Sequence, residues 1–126
     1  MWNERPLALV IDDSDDTRDM YATALDLGGF AVEEARDGQE ALRKARAIVP
    51  DVIITDFLMP TMDGWEMIRH LRADNRTRAI PIIACSGAPW PPTAEPGVEA
   101  DVVLQKPYPP DLLLLEVHGL LARRAA

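Results

Sequence analysis

The chain has 126 residues, 48% of them hydrophobic and 27% charged, with a net charge of −8. That balance fits one globular domain, residues 1–126, long enough to bury a real core. It offers no basic stripe for a phosphate backbone and no apolar run of membrane-spanning length, and its single cysteine, Cys85, excludes an internal disulfide.

The first element is "LALVI" (7–11), an apolar run of strand length. Ser14 is placed to cap a helix over 15–27, with Met20, Tyr21, Ala24 and Leu27 at helical spacing and "GG" at 28–29 to end it. "AVEEA" (31–35) is more polar and reads as an edge strand. Residues 38–47 are strong helix formers around Ala41, Leu42 and Ala45. "DVIIT" (51–55) is the third strand, and 64–72 the third helix, with Trp65, Ile68 and Leu71 on one stripe. "PIIAC" (81–85) and "DVVLQ" (101–105) complete five strands. Between them Pro89, Pro91, Pro92 and Pro96 break any ordinary helix, so a loop or extended crossover is expected there. Trp90, amid those prolines, is either the loop's apolar anchor or a contact residue.

The tail "DLLLLEVHGLLARRAA" is a helix with basic residues near its end. Leu113, Leu114, Val117, Leu120 and Leu121 share one face, and Leu112 and Leu115 fall outside it. Those two either mark a partner surface or cover the gap left by the missing crossover helix. Strands this continuously apolar are covered on both faces, and their alternation with helices implies a parallel sheet with right-handed crossovers.

In such a sheet the working crevice lies beyond the carboxyl ends of the strands. Asp12 and Asp13 follow the first strand, Asp56 the third, Ser86 the fourth and Lys106 the fifth. Two like charges about 4 Å apart repel by roughly 4 kcal/mol at an effective dielectric near 20, so three carboxylates need a cation. Oxygen donors without a nearby second histidine or cysteine suit a hard ion such as Mg²⁺, which often holds a phosphate as well. Lys106 and Ser86 can each contact an anionic oxygen, which makes a site for moving a phosphoryl group onto a carboxylate. Taken alone, Ser86 would be a turn former and Lys106 a surface cation. Asp15 and Asp16 read as acids at a helix start, Cys85 as a buried strand residue, and His70 and His118 as exposed helix residues.

The chain resembles the response-regulator receiver domains of two-component systems. The resemblance rests on "DD" at 12–13, Asp56 followed by "MP" at 59–60 and "DG" at 63–64, Ser86, and "KP" at 106–107. It covers residues 7–124 and implies a flavodoxin-like (CheY-like) doubly wound α/β fold, strand order 2-1-3-4-5, with the fourth helix missing or replaced by a loop. By resemblance Asp56 is the phosphoacceptor. Asp13, Asp56 and the Leu58 carbonyl bind Mg²⁺, and Asp12 holds metal-bound water. Lys106 and Ser86 contact the phosphoryl group, and the Lys106–Pro107 peptide is cis. Where the family carries an aromatic residue three before the lysine, this chain has Val103, and the positions that modulate dephosphorylation hold Leu58 and Ala88. The ordinary aromatic switch is therefore absent, and a long-lived acyl phosphate is expected.

The expected function is a stand-alone cytoplasmic phosphoacceptor, with no signal peptide in "MWNERPLALV". Its partners are a histidine kinase or phosphotransfer protein and a downstream protein, with no nucleic acid and no membrane; oligomeric state is left open. It is expected not to be an enzyme beyond self-catalysed phosphorylation and dephosphorylation of the aspartate. The alternative is a receiver-like module that binds its partner without phosphorylation. A flavin or nucleotide enzyme fits poorly, because the first strand–helix loop is acidic rather than a glycine-rich phosphate cradle. A phosphohydrolase fits no better, because no acid or base is placed recognisably beyond a strand-end nucleophile.

Overall fold

Five strands, β1 (Leu7–Ile11), β2 (Ala31–Ala35), β3 (Val52–Asp56), β4 (Ile82–Ser86) and β5 (Val102–Gln105), form one sheet in the order β2-β1-β3-β4-β5. Every pairing is parallel. The structure, a computed structural model, describes residues 5–57, 62–87 and 100–125, the side chain of residue 125 excepted. The inner strands β1, β3 and β4 are buried almost throughout, whereas β2 and β5 at the edges are partly exposed. This is why "AVEEA" can carry two glutamates: an edge strand leaves side chains in water.

Helices α1 (Asp15–Leu27), α2 (Gly38–Ile48), α3 (Gly64–Ala73) and α4 (Pro110–Ala125) flank the sheet. Ser14, Asp37 and Asp63 cap the first three, accepting from the backbone N–H of Thr17, Glu40 and Glu66. Each such cap stabilises a helix by about 1 kcal/mol. Side-chain alternation along the strands divides the core. Leu9, Ile11, Ile53 and Ile82 meet Ala41, Leu42, Met67, Ile68 and Leu71 on the α2–α3 face. Ala8, Val10, Ile54 and Ile83 meet Tyr21, Leu25, Phe30, Leu113 and Val117 on the opposite face. No helix among the described residues is long and apolar enough to cross a membrane.

Three expectations need correction. A fourth helix is present: α4 follows β5, with Pro110 in its first turn, where a missing N–H costs nothing, and it buries Leu113, Val117 and Leu120. The expected loop between β4 and β5 falls on residues 88–99, which with Trp90 lie outside the described residues. On α1 the buried face is Arg18, Tyr21 and Leu25, while Met20 and Leu27 are exposed. An arginine had displaced the apolar stripe, because its head finds acceptors inside. On α4 Leu112 packs against the core, leaving Leu115 as the exposed leucine.

Candidate functional site

Asp12 leaves β1 buried, only 2% exposed, while Asp13 beside it is exposed. The Asp12 N–H donates to Ala35 O at 3.1 Å, and Asp12 Oδ1 accepts from the Ser14 N–H at 2.9 Å. Arg18 braces this turn from α1. Its Nη1 donates to Asp12 O at 2.8 Å, its Nε to Glu34 at 3.0 Å, and its Nη2 to Asp15. Burial opposes the guanidinium charge, but bonding to Asp15 and Glu34 outweighs it and holds the pKa above the ordinary value.

Asp56 ends β3, and its Oδ1 accepts from the Phe57 N–H at 2.8 Å. Phe57 is pinned in turn: its carbonyl accepts from Gly64 N–H at 2.8 Å, and its ring lies 4.8 Å from that of Trp65. A Cβ on Gly64 would stand 2.8 Å from Phe57 Cα, so the helix start can approach the strand end this closely only with glycine there.

Ser86 is buried at the end of β4, and its carbonyl accepts from the Lys106 N–H at 2.7 Å. The Lys106–Pro107 peptide is cis. Lys106 Nζ lies 3.5 Å from Asp12 Oδ2 and 3.7 Å from Asp56 Oδ2. Burial disfavours its charge, yet Asp56 and Asp12 together raise its pKa above the ordinary lysine value. Asp12, Asp13 and Asp56 each offer an oxygen within 4.8 Å of the others.

The loops thus bring Asp12, Asp13, Asp56, Ser86 and Lys106 to one rim of the sheet, where the sequence placed them. Leu58 and Ala88 lie outside the described residues. Two residues escaped the sequence reading. Arg18 has the one available signal of a charged residue at spacing three from Asp15. Tyr108 is signalled only by an aromatic residue among prolines.

The sequence profile of the response regulator receiver domain family matches residues 8–118. The chain belongs to that family, whose members act as phosphoacceptors in two-component signalling. It is 37% identical over 123 residues to the transcriptional regulatory protein PrrA of Mycobacterium leprae, an alignment covering 96% of this chain and 52% of that one. Among solved structures, the chemotaxis protein CheY4 of Vibrio cholerae matches with a TM-score of 0.81 and 33% identity, covering 91% of this chain and 98% of that one. A signal receiver domain of a histidine kinase from Syntrophus aciditrophicus matches with a TM-score of 0.82 and 30% identity, covering 93% and 90%. The chain spans about half the length of the curated relatives it matches.

Proposed function

We propose that Asp56 is the residue that accepts the phosphoryl group, from the phosphohistidine of a kinase or phosphotransfer protein. The observation that carries this is the placement of the Asp56 carboxylate. The Phe57 N–H fixes Oδ1, which turns Oδ2 toward Lys106 as the attacking oxygen. Oδ2 forms a bond to phosphorus as the phosphorus–nitrogen bond of the donor breaks, leaving an acyl phosphate on Asp56 and a neutral imidazole after proton uptake. Lys106, held charged by Asp12 and Asp56, neutralises the phosphoryl oxygens as they arrive, and Ser86 donates to another of them.

The three carboxylates suit a hard divalent cation: all donors are oxygens, and they converge within 4.8 Å. Asp12, Asp13 and Asp56 would hold Mg²⁺, which when bound offsets charge on the phosphoryl group. The domain's chemistry is confined to its own aspartate, and the phosphorylated form signals by binding a protein partner. With a net charge of −8 this domain does not take the nucleic-acid backbone itself. DNA contact by a longer protein would be made outside it.

Incubation with acetyl phosphate and Mg²⁺ tests the reading by intact mass. One phosphoryl adduct, lost in Asp56→Asn, is expected. No adduct, with partner binding intact, would instead support the phosphorylation-independent module.

A further inference from the structure

Ser86 and Lys106 stand on neighbouring strand ends, and residues beside them in the chain are bonded to each other. Cys85, immediately before Ser86, is buried, and its Sγ lies 3.0 Å from the Tyr108 hydroxyl. Tyr108 is two residues beyond Lys106. Its ring stacks on that of buried Tyr21 from α1, with centroids 5.8 Å apart and planes inclined by 9°. Phosphoryl transfer as described uses none of these three side chains.

The backbone explains why such a contact matters. The turn from β5 into α4 reads Lys106-Pro107-Tyr108-Pro109-Pro110. Three prolines remove three backbone donors. The turn is tied to the sheet by the Lys106 N–H on Ser86 O at 2.7 Å, and it needs a second anchor. The Tyr108 side chain supplies it twice, through the stack and through the hydroxyl. A phenylalanine would keep the stack alone, whereas the partly buried hydroxyl of Tyr108 bonds both the Cys85 thiol and the Tyr21 side chain.

We propose that Tyr108 is a positioning residue for phosphoryl transfer, holding Lys106 at its distance from Asp56 and Ser86 through Cys85 and Tyr21. This rests on the phosphoacceptor reading. Tyr108→Phe removes the hydroxyl and keeps the ring. Acyl phosphate then forms about five-fold more slowly at saturating acetyl phosphate, the effect of one neutral hydrogen bond. Mg²⁺ affinity does not fall, and the Lys106 amide exchanges hydrogen faster. Cys85→Ala reproduces the loss, the double variant is no slower than either single one, and Cys85→Ser restores the rate.

Wild-type rate and wild-type Lys106 protection in Tyr108→Phe would overturn the proposal. So would additive losses, or a parallel fall in Mg²⁺ affinity, which would mean general loosening of the site. Should the wild-type chain take no phosphoryl group, the phosphoacceptor reading fails separately. Lys106 exchange then decides positioning: faster in Tyr108→Phe supports it, and unchanged overturns it.

Discussion

Lys106 competes for the oxygens that a divalent cation would use, since its Nζ lies 3.5 Å from Asp12 and 3.7 Å from Asp56. Lys106→Met therefore tightens Mg²⁺ binding, by at least about ten-fold, the value for loss of one cation at this range in a water-like dielectric. Titration followed by Trp65 fluorescence checks it, because that ring packs on Phe57 beside Asp56. Unchanged or weaker affinity would show that the lysine and the cation do not share ligands. Cys85 makes a second prediction. Burial pushes its thiol from 9.0 up to about 11. The unfolded chain thus loses that proton first as pH rises, so the stabilisation is complete below pH 9.0 and drains away between 9.0 and about 11. Urea midpoints measured across that window should fall with pH, less so in Cys85→Ala.

At the scale of elements, α4 separates residues that look alike in the sequence. Leu113 is fully buried and Leu115 is 67% exposed. Leu113→Ala should cost about 3 kcal/mol in urea denaturation, and Leu115→Glu less than about 0.5 kcal/mol. The five strands, the burial of the inner three and the cap at Ser14 were legible in sequence, because continuous apolar runs and capping side chains act locally; the exposure of Val103 on β5 was not. The buried face of α1 was not. Arg18 occupies a core-facing position only because Glu34 on β2 and the Asp12 carbonyl wait there, and Glu34, on another strand, reaches it only once the sheet has formed. The Tyr108–Cys85 bond is hidden for the same reason: its partners are 23 residues apart and meet only through the sheet.

For the whole molecule, the parallel sheet does the assembling. Each site residue lies at or just beyond the carboxyl end of a strand, so a single topology brings residues from 12 to 106 onto one rim. The spacing of the motifs made the site legible before the fold was known. By the family resemblance, the positions that modulate dephosphorylation hold Leu58 and Ala88, whose side chains carry no group that can orient a water. The acyl phosphate should therefore persist well beyond seconds in Mg²⁺ buffer, and Ala88→Glu, by adding a water-orienting carboxylate, should speed its decay at least about ten-fold. Decay of the wild-type form within seconds would contradict that. The most direct test of the site is to locate the phosphoryl group. Treating the acetyl-phosphate product with borohydride reduces an aspartyl phosphate to homoserine, and peptide sequencing by mass then reads its position. Homoserine at residue 56 alone is the predicted result; homoserine at 12 or 13, or at no position, would contradict it.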